Sequence, residues 1–214
     1  MTAKLSYIHR FEPGDDPAYP PVLLLHGTGG DEDDLLPLGR LVAPHAALLS
    51  PRGSVLEEGM PRFFRRYREG LFDEDDLRRR ANELADFVAE ACQAYRIAAP
   101  FALGYSNGAN IAAAMALLRP QTLVGAILLR AMAPFAAPPK PDLSGMPALI
   151  LSGLSDPIVP AASVERLALA LSAAGARVER ETVRASHALS QDDVVRAKAF
   201  LEREVASQKA RHSS

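Results

Sequence analysis

Phe101-Ala102-Leu103-Gly104-Tyr105-Ser106-Asn107-Gly108-Ala109-Asn110 decides how the rest of the chain is read. An apolar run ends in Gly104-Tyr105-Ser106-Asn107-Gly108, and an alanine-rich helical pattern follows at once. This is G-x-S-x-G between a strand and a helix, the context that gives the motif chemical meaning. The turn leaves no room for side chains at its flanks, hence glycine at 104 and 108. Ser106 is expected in a strained conformation with its hydroxyl exposed above the sheet edge. The N-terminus of the next helix then lies beneath it and favours negative charge.

Working outward, the chain alternates strand and helix patterns. Residues 5–11 read as a first strand, followed by a Pro-Gly-Asp turn. Pro21-Val22-Leu23-Leu24-Leu25 is a continuous apolar run, as in a strand buried on both faces of a parallel sheet. It ends in His26-Gly27-Thr28-Gly29-Gly30, and the acids at 31–34 read as the first turn of a helix reaching Val42. Residues 46–50 form a short strand ending at Pro51-Arg52-Gly53. Residues 54–74 have no clean periodicity but hold the densest aromatic and basic patch. Helical spacing returns over 75–95, where Cys92 falls on the apolar stripe and reads as a core residue. Strands are expected at 101–105, 123–129, 147–152 and 176–183, and helices at 110–118, 163–174 and 192–206. This alternation predicts an α/β fold with a mostly parallel central sheet flanked by helices.

The 214 residues suit one domain over 1–214, with 207–214 a frayed polar tail. Hydrophobic residues at 48% and charged residues at 23% fit an ordinary soluble globular protein. A net charge of -2 makes no electrostatic case for nucleic acid or an anionic membrane. One cysteine excludes an internal disulfide and a cysteine-rich metal site. The N-terminal residues lack the apolar core of a secretory signal, and no apolar stretch approaches a membrane span. The expectation is a cytoplasmic protein.

In parallel sheets, ligands sit at the carboxyl ends of the strands. His26-Gly27-Thr28, Arg52, Ser106, Asp156 and His187 all fall there. A serine hydroxyl is a weak nucleophile and needs a neighbouring base. Of the histidines, His9 lies in the first strand, His212 in the tail and His45 at the wrong end of the sheet, while the Gly-rich company of His26 suggests a loop-shaping role. His187, on a loop after the last strand, is the candidate base. Asp156, after the preceding strand, is the candidate carboxylate that orients the imidazole. The order Ser106, Asp156, His187 is that of α/β-hydrolases. The oxyanion donors are expected to be the backbone amides of Asn107 and Thr28, the latter placed by Gly27, Gly29 and Gly30.

The segments at 26–31, 50–53, 104–110, 152–160 and 186–187 together resemble the phospholipase/carboxylesterase family of α/β-hydrolases, which also holds the acyl-protein thioesterases. Residues 62–66 and 69–73 look like a bacterial carboxylesterase branch within it. The resemblance implies hydrolysis of carboxylic esters or thioesters on a small-molecule substrate, with no cofactor and no metal. The thioesterase branch usually carries Gly-Phe-Ser-Gln-Gly at the elbow, whereas Tyr105 and Asn107 stand here, which weakens any transfer of lipid-thioesterase activity.

Where many relatives insert a helical cap, residues 130–146 are short and rich in Pro and Ala, so a minimal fold with an open, shallow site is expected. Met132 and Phe135 are candidate apolar walls, and Phe63, Phe64, Arg65 and Arg66 are candidates for the opposite wall. An arginine facing the site would favour substrates bearing a carboxylate. The leading expectation is a serine carboxylesterase acting on small to medium acyl esters. The alternatives are an acyl thioesterase or lysophospholipase, and a non-catalytic ligand-binding protein on a hydrolase scaffold.

Overall fold

The computed structural model describes residues 5–212. In chain order its elements are β1 (His9–Glu12), β2 (Val22–Leu25), α1 (Leu36–Val42), β3 (Leu48–Pro51), β4 (Val55–Glu57), β5 (Met60–Arg62), β6 (Arg66–Arg68) and β7 (Leu71–Phe72). There follow α2 (Glu74–Tyr95), β8 (Phe101–Tyr105), α3 (Asn107–Leu118), β9 (Gly125–Leu129), β10 (Pro147–Gly153), α4 (Ala161–Ala173), β11 (Arg177–Val183) and α5 (Gln191–His212). Among the described residues, seven strands join in the order β1-β3-β2-β8-β9-β10-β11. Only β1 is antiparallel to its neighbour.

The strands are apolar on both faces because both faces are covered. Leu23, Leu25, Ala102, Ala126, Leu128, Ala148 and Ile150 pack with α2, α3 and α4. Their alternates Val22, Leu24, Leu103, Ile127, Leu129, Leu149 and Leu151 pack with α1 and α5. Each such leucine contributes roughly 1.5–3 kcal/mol when fully buried. The period-two alternation thus divides the apolar residues of the central strands between two cores. The helix α3 is buried along nearly its whole length, and its alanines let it lie close against β2, β8 and β9.

Several boundaries differ from the sequence reading. The first strand starts at His9, not at residue 5. The acids at 31–34 are not a helix turn: α1 starts only at Leu36, with no acid in its first turn. Asp33 instead pairs with Arg10 at 2.7 Å, and Glu32 with Arg52, whose Nη2 lies 2.8 Å from Oε1. Residues 54–74 fold as two antiparallel hairpins, β4–β5 and β6–β7, too short to show periodicity. The last helix continues to His212, past the expected end at 206, and the final tail residues Ser213 and Ser214 lie outside the described residues. So do residues 1–4, on which the reading of the N-terminus partly rests. Between β9 and β10, residues 130–146 form turns with no inserted helix. Among the described residues no helix is long and apolar enough to cross a membrane.

Candidate active site

Ser106 leaves β8 at φ 52°, ψ -112°, a conformation a non-glycine residue adopts only when its surroundings impose it. Its amide donates to the Leu129 carbonyl at 2.8 Å, which pins the turn to the end of β9. Glycine is required on both sides for steric reasons. A Cβ at Gly104 would stand 2.6 Å from the Gly108 carbonyl, and one at Gly108 would strike the Leu25 carbonyl. The backbone of α3 therefore passes against β2 and β8 at contact distance.

His187, on the loop after β11, places Nε2 2.9 Å from Ser106 Oγ. Its Nδ1 stands 2.9 Å from Asp156 Oδ2. With a carboxylate at Nδ1, that nitrogen carries the proton and Nε2 is left to accept from the serine hydroxyl. Asp156 lies in the turn after β10, where Oδ1 accepts from the amides of Ile158 at 2.8 Å and Val159 at 3.1 Å. Burial pushes the Asp156 carboxyl up, but those amides and His187 outweigh it, and it sits below its ordinary value. The three side chains thus come from three strand ends and meet in one line.

The loop after β2 reaches the same point from the other side. His26 is buried; Nε2 accepts the Gly53 amide at 2.9 Å, so Nδ1 donates to the Gly27 carbonyl at 2.6 Å. Burial pushes the His26 imidazole below its ordinary value, in keeping with a neutral ring whose Nε2 is an acceptor. Gly29, at φ 85°, donates to the Pro61 carbonyl at 3.0 Å. Arg62 Nη1 donates to Thr28 Oγ1 at 2.6 Å, and the Phe63 amide donates to Asn107 Oδ1 at 2.8 Å. The Thr28 amide has no hydrogen-bond acceptor among the described residues. Asn107 opens α3, where an amide has no acceptor within its own helix. Thr28 and Asn107 both line the cleft that holds Ser106, and neither amide is spent on an acceptor among the described residues.

Between these two sides lies a cleft of about 180 Å³, lined by Thr28, Arg62, Arg66, Glu69, Phe72, Tyr105, Asn107, Asn110, Met132 and Ile158 around Ser106 and His187. Of the candidate wall residues, Arg66 and Met132 line this cleft. Phe63 and Phe64 do not line the cleft: they are 1% and 0% exposed, Phe63 packed 4.6 Å from the His26 ring and Phe64 edge-on to Phe72 at 5.2 Å. Arg65 points away from the cleft and pairs with Asp73 at 2.9 Å, while its amide donates to Asp76. Phe135 is buried beneath the Arg78 guanidinium, 4.2 Å from its ring centre, beside a separate cavity with Pro134 and Leu169.

Arg62, Glu69, Phe72, Asn110 and Ile158 went unread as wall residues. Asn110 Oδ1 accepts the Met132 amide at 2.8 Å, and its place one helical turn after Ser106 was an available signal. Arg62 and Glu69 belong to the hairpins, where the segments at 62–66 and 69–73 resemble a carboxylesterase branch but no periodicity marks which side chains face the cleft. A larger cavity, about 840 Å³, lies at the amino ends of β2, β3, β8 and β9 between Phe11, Tyr19 and Tyr95, and holds none of Ser106, Asp156 or His187. The chemistry, not the volume, locates the site. Among the described residues, no group of three or more His, Cys, Asp or Glu side chains could hold a metal ion.

An α/β sheet with a serine elbow, a Gly-rich loop beside it and a later acid and histidine defines a hydrolase site. The chain belongs to the phospholipase/carboxylesterase family, whose sequence profile matches residues 8–205. It is 45% identical to MhqD of Bacillus subtilis (strain 168), a protein named there only as a provisional hydrolase, over 179 residues covering 83% of this chain and 90% of that one. The crystal structure of the Bacillus cereus carboxylesterase superposes with a TM-score of 0.91 at 42% identity, over 94% of this chain and 96% of that one. A carboxylesterase from Mesorhizobium loti superposes with a TM-score of 0.88 at 30% identity, over 94% and 96%. The protein is therefore a hydrolase with the α/β-hydrolase fold.

Proposed function

We propose that the protein is a serine carboxylesterase that hydrolyses small to medium carboxylic esters through an acyl-enzyme. Ser106 Oγ attacks the ester carbonyl while His187 Nε2 takes its proton, and Asp156 holds the resulting imidazolium. The amides of Thr28 and Asn107 receive the oxyanion at the positive end of α3. The imidazolium returns its proton to the departing alcohol, and water repeats the sequence on the acyl-enzyme to release the acid. The observation that carries this reading is the continuous contact from Ser106 Oγ to His187 Nε2 and from His187 Nδ1 to Asp156 Oδ2, each 2.9 Å.

A cleft of about 180 Å³ supports a small acyl group, since pockets that enclose drug-sized ligands run from about 300 Å³ upward. Phe72, Met132 and Ile158 offer the apolar contact for it. The test is hydrolysis of a p-nitrophenyl ester series from acetate to palmitate, with matched thioesters, by wild type and Ser106→Ala. The reading expects an optimum at short to medium chains and loss of at least about 10⁴-fold in kcat for Ser106→Ala. Undiminished turnover by that variant would contradict it. An optimum at palmitate or on thioesters would instead favour a lysophospholipase or thioesterase.

A further inference from the structure

Arg130 stands where β9 ends, in the left-handed region at φ 56° and 0% exposed. A guanidinium has five N–H groups in a fixed fork, and here all are engaged. Nε donates to the Ser186 carbonyl at 3.0 Å. Nη1 donates to the Leu151 carbonyl at 3.3 Å and to Asp193 Oδ1 at 2.8 Å. Nη2 donates to the Ala188 carbonyl at 3.1 Å and to Asp193 Oδ2 at 2.8 Å. Ser186 and Ala188 are the neighbours of His187 on either side. The carbonyl of His187 itself accepts from Tyr105 Oη at 3.1 Å. Three successive carbonyls, on a loop with no ladder to hold it, are thus fixed by side chains from the last residue of β8 and the residue after β9. Asp193 also accepts from the amide and hydroxyl of Ser190, each at 2.8 Å, which ties the start of α5 to the same point.

Stability alone is a weak reason for such a pair, because well-packed apolar residues of similar volume serve as well or better. What they lack is donors at fixed angles for the Ser186 and Ala188 carbonyls. We propose that Arg130, anchored by Asp193 and assisted by Tyr105, is a positioning residue that holds the 186–188 backbone so that His187 reaches Ser106 and Asp156 together. It touches no reacting atom and acts through His187. The proposal rests on the reading of Ser106 as nucleophile and His187 as base.

Arg130→Lys keeps a cation beside Asp193 but carries its donors on one nitrogen, which cannot span both flanking carbonyls. The expected result is a folded enzyme whose kcat falls about 10- to 100-fold, since an ångström of misplacement costs about that much. KM should stay within about two-fold, because substrate contacts are untouched. In the proton NMR spectrum at low pH, the downfield Nδ1–H signal of the His187–Asp156 bond should shift or broaden, a change that a merely structural role would not produce. A folded Arg130→Lys with wild-type kcat and an unmoved signal would overturn the proposal. If this variant does not fold, Arg130→Met/Asp193→Leu removes both charges together, and wild-type kcat there would overturn it equally. Tyr105→Phe removes only the third bond and should lower kcat by about two- to five-fold at unchanged KM; an unaltered kcat would count against the clamp. Full turnover by Ser106→Ala would remove the nucleophile reading itself. An inactive Ser106→Ala beside a fully active Arg130→Lys would remove only the positioning claim.

Discussion

On one side of the cleft, Ser106, Asp156 and His187 leave the sheet at the ends of β8, β10 and β11, strands joined in a parallel ladder. On the other side, Thr28 and Asn107 are held by a hairpin that belongs to no ladder of the main sheet. The first side inherits its geometry from main-chain hydrogen bonds between apolar strands. The second is assembled from single bonds between residues far apart in sequence: Gly53 to His26, Gly29 to Pro61, Arg62 to Thr28 and Phe63 to Asn107. A ladder tolerates the loss of one side chain. A hairpin stapled at separate points shifts when one staple goes.

The comparison breaks most sharply at Asp156. Asp156→Asn keeps the shape but loses the charge that fixes the imidazole, and kcat on p-nitrophenyl butyrate should fall about 10⁴-fold with the fold retained. A loss below about ten-fold would mean that His187 is oriented by other groups.

Next in size is the hairpin staple. Arg62→Met leaves Thr28 Oγ1 without its donor, so the loop proposed to receive the oxyanion loosens while Ser106, His187 and Asp156 stay in place. The expected loss is about 10-fold in kcat, the scale of a misplaced rather than a missing oxyanion donor. Labelling of Ser106 by a fluorophosphonate should slow less than ester turnover. Equal slowing of both would show that the two sides are not separable.

Acid should expose the same asymmetry. The folded His26 value is depressed, because burial disfavours its charged form. Its contribution to stability is therefore fully present above the ordinary imidazole value of about 6.5 and is lost as pH falls through the depressed value. In urea titrations, wild type should begin to lose its stability advantage over His26→Gln as pH falls below the ordinary imidazole value of about 6.5. A constant difference across that range would show that His26 is not held neutral. Asp156 follows the same sign at lower pH: its folded value is depressed, so its contribution is fully present above the ordinary carboxyl value of about 3.9 and is lost as pH falls through the depressed value.

The smallest expected effect separates neighbours. Arg66 lines the cleft, paired with Glu57 and Glu69, whereas Arg65 pairs outward with Asp73. Arg66→Ala should change the ratio of rates on succinyl and butyryl monoesters by about two- to five-fold, and Arg65→Ala should leave it unchanged. The reverse result would return Arg65 to the substrate wall.

The same contrast explains what could be read from the chain. Residues 101–105 form a strand with the expected limits because a fully apolar run ends abruptly at a glycine turn. Asp156 could be placed because it follows a strand of that kind, and His187 because it follows the last strand of the alternation, although that strand, β11, is charged and half-exposed. The helix after Ser106 begins at Asn107, earlier than its apolar pattern, because Asn107 and Asn110 are buried polar residues that bond the Phe63 and Met132 amides. The acids at 31–34 look like a helix start only until Arg10 and Arg52 come beside them in space. Phe63 and Phe64 read as wall residues from their basic neighbours, yet packing against His26 and Phe72 turns them inward. Contacts of this kind are set by tertiary approach and leave no period in the sequence.

The central claim is that Ser106 is a nucleophile activated by His187. Intact-mass and peptide mapping after treatment with a fluorophosphonate tests it most directly. The account predicts one adduct per chain, on Ser106, formed rapidly in wild type and at least about 10³-fold more slowly in His187→Ala. An adduct on another residue, or labelling of Ser106 at the same rate without His187, would contradict it.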